Sequence, residues 1–123
     1  ASTKDWTLTN QGTIGPNPTG NGVRFTFGGA LVNSGSDSSA TISITGGTGS
    51  ITNQAGADIT STTNGISIAT SGAQFVGTVS NAGTITGTGS GDLVALFGGG
   101  TVTNLATGTI SANNSSNAPN VHR

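Results

Sequence analysis

One short string recurs five times along this chain, and it constrains the fold more than any other feature. An aliphatic residue, a small polar or β-branched residue and an asparagine appear as Leu8-Thr9-Asn10, Leu31-Val32-Asn33, Ile51-Thr52-Asn53, Val79-Ser80-Asn81 and Val102-Thr103-Asn104. A glycine follows each, at Gly12, Gly35, Gly56, Gly83 and Gly108. An aliphatic residue then returns at Ile14, Ile59, Ile85 and Ile110, while the second copy lacks it. Successive asparagines lie 23, 20, 28 and 23 residues apart. Such periods match one coil of a solenoid, in which each repeat covers its neighbour's open face.

A second landmark sets the register inside each copy. Val23, Ile66 and Val94 each lie 13 residues after their asparagine, and Ile42 lies nine after its own, so the second coil is shortened before this point. Each has an apolar partner two residues on, at Phe25, Ile68, Leu96 and Ile44. Alternation with period two is the pattern of a strand. Each copy therefore reads as about three short strands separated by Gly, Asn and Ser turns. The third copy is longer, with its extra residues placed around Thr70 to Gly77. The predicted fold is an all-β parallel β-helix, a β-solenoid of about five coils over residues 1–111. Residues 112–123 form an irregular or incomplete terminal segment. Leu8, Leu31, Ile51, Val79 and Val102 form one inward column, and Val23, Ile42, Ile66 and Val94 a second.

Asn10, Asn33, Asn53, Asn81 and Asn104 are predicted to stack as a structural ladder of hydrogen-bonded side chains, as polar residues do in other stacked-strand structures. The glycines after them are predicted to supply positive φ at corners where a Cβ would clash. The repeat begins close to the first residue and no polar cap is evident. Open ends of this kind expose unpaired backbone groups and favour end-to-end association.

Composition narrows the function. The 123 residues include only three basic and four acidic residues, and the net charge is -1. Lys4, Arg24 and Arg123 are too far apart to neutralise a run of phosphates, which excludes nucleic acid as the expected partner. No apolar stretch approaches the ~20 residues of a membrane span, and no signal peptide or lipidation motif is visible. The chain is thus either cytosolic or cut from a longer secreted precursor. Cysteine is absent, so the small core is held by stacking and not by disulfides. Methionine is absent as well, which suggests that residue 1 is not a native start.

The stretch Asn81-Ala82-Gly83-Thr84-Ile85, continued by Gly91-Asp92-Leu93-Val94-Ala95-Leu96-Phe97-Gly98-Gly99-Gly100-Thr101-Val102-Thr103-Asn104, resembles repeats in bacterial autotransporter passenger domains. Asn10-Gln11-Gly12-Thr13-Ile14 is a second match. The resemblance covers roughly residues 7 to 111. It implies a right-handed parallel β-helix, exported by the type V route through the outer membrane and displayed at the cell surface or secreted. It also implies a role as a stalk or adhesion surface, with an unidentified host or bacterial surface ligand, protein or glycan; self-association is expected separately, from the open ends. The membrane β-barrel of such proteins is not in this sequence, which on this reading is a piece of a longer passenger with no membrane contact of its own.

Catalytic chemistry finds little support. His122 is the only histidine and lies in the irregular tail, away from any repeat that could fix it for a triad or a metal. The acids are Asp5, Asp37, Asp58 and Asp92. Asp37 and Asp58 fall four and five residues after their asparagines, so they lie near each other on adjacent coils. A polysaccharide-cleaving site would need a third acid in register or a nearby Lys, and neither is present. Gly87-Thr88-Gly89-Ser90-Gly91-Asp92 resembles part of a calcium-binding nonapeptide, but the Asp does not recur every nine residues. It is also a poor phosphate loop, since no Lys follows. Asn113 and Asn114 fit the glycosylation pattern in a tail already rich in Asn and Ser. The chain is expected to be no enzyme and to hold no cofactor or metal.

One alternative comes from another class. Thr7-Leu8-Thr9 and Thr101-Val102-Thr103 set threonines outward around an inward aliphatic, as on ice-binding β-solenoids. The equivalent pairs between them are Ala30/Val32, Ser50/Thr52 and Thr78/Ser80, so the face is mixed. An ice-binding surface must be flat, repeated and free of bulges.

Overall fold

Short alternating runs cannot form a stable sheet alone, so they must find partners elsewhere in the chain. In the computed structural model they find them one coil away. The structure describes residues 6–62, 65–68, 75–89, 92–112 and 120–121, with side chains described outside 16–21, 39–40 and 120–121. The strands are β1 (Trp6–Asn10), β2 (Thr13–Phe25), β3 (Gly29–Asn33), β4 (Ser36–Ile44), β5 (Gly49–Asn53), β6 (Asp58–Ser61), β7 (Ile66–Ile68), β8 (Gly77–Asn81), β9 (Thr84–Gly87), β10 (Val94–Leu96), β11 (Gly100–Asn104), β12 (Thr109–Ala112) and β13 (Asn120–Val121). No helix occurs among the described residues.

All the strand pairs are parallel. One sheet has the order β1-β3-β5-β8-β11. The other runs β12-β9-β6-β4-β7-β10-β13, with β2 on β4. This second sheet is shared by two sides of the coil: the start of β4 pairs with β6 and its end with β7. Each coil thus has three strand segments, as the sequence predicts. The fold is a β-solenoid. The five strands of the first sheet are separated by four circuits of the chain, so it makes about four turns where repeat counting predicted about five.

Register within the first sheet holds residue for residue. Leu8, Leu31, Ile51, Val79 and Val102 are aligned, as predicted. So are Val23, Ile42, Ile66 and Val94. Full burial is confined to the middle of the first column. Leu31, Ile51 and Val79 are buried, whereas Leu8 is 37% exposed and Val102 is only partly buried. The physical reason is position: Leu8 and Val102 belong to the two edge strands, each with a neighbouring coil on one side only. The difference in length between the first two coils is absorbed in β2. Its pairing with β4 shifts register three times between Ile14 and Val23, which accommodates the extra residues of the first coil. Residues 69–74, which hold most of the third copy's predicted insertion, lie outside the described residues.

The glycines correct the sequence reading. Among those after the ladder asparagines, only Gly56 has positive φ, at 80°. Gly35, Gly83 and Gly108 are required by crowding instead: a Cβ on each would run into backbone oxygens of neighbouring turns. A further glycine column was not anticipated at all. Gly29, Gly49, Gly77 and Gly100 are aligned in the first sheet. A Cβ on Gly49 would lie 2.8 Å from Ile44 Cγ2, and one on Gly77 would lie 2.9 Å from Ile68 Cβ and Leu96 Cδ2. The large residues of the third side fill the interior there, leaving no room for a facing side chain.

These packing differences set the expected cost of truncation. Ile51→Ala should lower stability by about 2–5 kcal/mol, as for other fully buried aliphatics. Leu8→Ala should cost much less, since water already reaches that side chain. Urea unfolding of the two variants checks this, and equal losses would contradict the described burial.

Candidate functional site

The ladder predicted from sequence is present in full. Asn10 Nδ2 donates to Asn33 Oδ1 at 2.8 Å, Asn33 to Asn53 at 2.9 Å, Asn53 to Asn81 at 2.8 Å and Asn81 to Asn104 at 2.8 Å. Each of the first four amides also reaches a backbone carbonyl of the next coil: Ser36 and Asp58 at 3.0 Å, Thr84 at 3.1 Å and Thr109 at 3.0 Å. These carbonyls lie at the start of the second side, so the amide ties the corner between the first and second sides. Asn33, Asn53 and Asn81 are at most 1% exposed, while Asn104 is exposed. Buried amides so fully bonded are structural, and their chemistry is to fix the backbone.

The acids are spread, not gathered. Register sets Asp58 against Ser36 and Asp37 against Ile59. Alternation along the strand then sends the two carboxylates to opposite faces, and Asp58 is exposed while Asp37 is 1% exposed. Sequence reasoning placed them near each other on adjacent coils. They do lie on adjacent, paired strands one register step apart, but on opposite faces. Asp37 instead occupies the interior column Ile14, Asp37, Ile59, Ile85, Ile110, in place of the aliphatic missing from the second copy. A signal for this was available, because Asp37 lies four residues after its asparagine, the same offset as Ile14 and Ile85. Asp92 borders a shallow hollow of about 180 Å³ with Ser67 and Phe97. Among the described residues no group of three or more His, Cys, Asp or Glu could hold a metal ion. No described helix is long and apolar enough to cross a membrane. Lys4, Asp5, Asn113, Asn114, His122 and Arg123 lie outside the described residues.

The outward surface of the first sheet carries two rows. Thr7, Ala30, Ser50, Thr78 and Thr101 form one, and Thr9, Val32, Thr52, Ser80 and Thr103 the other. Neither row is broken by a bulge, in contrast to the β2–β4 pairing. A groove of about 410 Å³ runs across this face beside Thr48 and Val76. A larger cleft of about 470 Å³ opens at the lower end of the solenoid between Trp6 and Leu8 of β1 and Val23 and Phe25 of β2. Nothing in the repeat pattern pointed to that cleft, since Trp6 lies outside the recurring string. No protein-family model, curated protein or solved structure matches the chain.

The burial gradient along the ladder gives a graded expectation. Asn53→Ala or Asn81→Ala should lower stability by about 1–3 kcal/mol, because each leaves buried partners unsatisfied. Asn104→Ala should cost clearly less. Thermal melts of the three variants check the order, and unchanged melting of both interior variants would mean that the ladder contributes nothing.

Proposed function

We propose that this chain is a scaffold segment of an exported, surface-displayed passenger of the autotransporter kind, acting as a stalk or an adhesion surface. One observation carries this reading. Core columns, glycine column and ladder all repeat coil by coil, so each coil is supported by its neighbours alone. A fold of this type lengthens by adding coils, with no change to its cross-section. It needs no disulfide, which suits a chain that crosses a membrane unfolded and then stacks progressively. The outward rows are uncharged Thr and Ser with Ala30 and Val32 between, a surface suited to weak contacts repeated many times. Deleting the segment from its gene should reduce adhesion and autoaggregation of the cells while the rest of the protein still reaches the surface. Normal adhesion and aggregation with loss of a hydrolytic activity would place the protein in another class.

A second reading draws on the unbroken register of the two outward rows, the regularity that an ice-binding face needs. Ala30 and Val32 interrupt the threonines, and the scaffold reading expects no thermal hysteresis from the purified chain. Hysteresis abolished by Thr52→Tyr would favour ice binding instead.

A further inference from the structure

The ladder has a direction. In every rung the Nδ2 of one asparagine donates to the Oδ1 of the next in chain order. A directional ladder must end in two different ways. At its upper end the Asn104 amide turns to the Gly108 carbonyl at 2.9 Å, in an exposed position. At its lower end Asn10 Oδ1 accepts the Gly12 N–H at 3.2 Å, and no ladder amide lies beneath it among the described residues. One end offers a donor and the other an acceptor.

The strands that carry these ends are complementary as well. β1 and β11 are the two edges of the first sheet. They run parallel and have the related sequences Trp6-Thr7-Leu8-Thr9-Asn10 and Gly100-Thr101-Val102-Thr103-Asn104. Apolar surface is left uncovered at both. Trp6 is 67%, Leu8 37% and Phe27 57% exposed at the lower end, and Leu105 is 47% exposed at the upper. Neither edge strand contains a proline, a charge or a bulge, the usual devices against edge pairing. The lower edge of the second sheet differs: β2 contains Pro16, Pro18 and Arg24 and shifts register three times.

We infer that the chain stacks head to tail on a second copy of itself, with β11 of one copy pairing in parallel with β1 of the next. The register that continues the columns sets Gly100 against Trp6, Val102 against Leu8 and Asn104 against Asn10. The Asn104 amide of one copy then donates to the Asn10 Oδ1 of the next, as in the interior rungs. Because the two edges are different surfaces, each added copy leaves a free end, and the product is an open fibre and not a closed dimer. Such stacking concerns this chain by itself: in a longer passenger of the kind proposed, neighbouring coils of the same chain would occupy these two edges.

Sedimentation of the full chain tests it, with circular dichroism to show that each variant is folded. Wild type should sediment faster as concentration rises and form fibres one solenoid wide under the electron microscope. Leu8→Lys blocks the lower edge and Val102→Lys the upper. Asn104→Asp, at an exposed position, is a second block of the upper edge that removes the donor. Each variant alone should remain a monomer, and an equal mixture of Leu8→Lys with either upper-edge variant should form dimers and nothing larger. Wild type that stays monomeric at every concentration would overturn the inference. So would dimers of Val102→Lys alone, or a mixture that fails to associate.

Discussion

Parallel strands stacked coil on coil can slip, and a slip of one residue would turn every inward side chain to water. The buried amide at the corner of each coil stands against this. Asn53 Nδ2 reaches Asn81 Oδ1 at 2.8 Å and the Thr84 carbonyl at 3.1 Å together. Only one register places a side-chain oxygen and a main-chain oxygen of the next coil at those two points. With the corner fixed, Ile51 falls over Val79 two residues before it, and Ile59 over Ile85 beyond it. The glycine column follows from the same lock. Once Ile44, Ile68 and Leu96 are aligned on the third side, the positions facing them must lack a Cβ.

Much of this was legible in the sequence, because a solenoid converts equal spacing along the chain into contact in space. The offset from Asn to Val23, Ile66 and Val94 is constant, and those residues do align. Where offsets vary, the reading weakened. Asp37 sits at the aliphatic offset, but an acidic residue is normally assigned to the surface, so its interior place was missed. The glycine column was missed for a different reason: at Gly49 and Gly77 its cause is the bulk of residues on another side of the coil, which no spacing along the chain reveals. Of the glycines after the asparagines, Gly56 has the predicted positive φ, but Gly35, Gly83 and Gly108 were given the wrong cause. At Gly83 the constraint is a backbone oxygen from the neighbouring coil and not a left-handed φ.

The division of labour between inside and outside bears on function. Inside, hydrophobic columns and amides are satisfied coil by coil, and Asp37 is the only buried acid among the described residues. Outside, alternation presents Thr and Ser in straight rows on a sheet without bulges. Among the described residues, Asp37 and Asp58 face opposite ways. The proposed scaffold role draws on this regularity and on the two ends of the stack. The directional ladder makes those ends unlike each other, which is the property that lets a repeating scaffold continue.

Register along the stack depends on the ladder amides being locked inside it. Hydrogen exchange of assigned asparagine side-chain amides, followed by NMR, measures this directly. The Nδ2 protons of Asn33, Asn53 and Asn81 should exchange far more slowly than those of exposed Asn104. Equally fast exchange at all four would contradict the account, because it would mean that water reaches the corner and that register is held by something else.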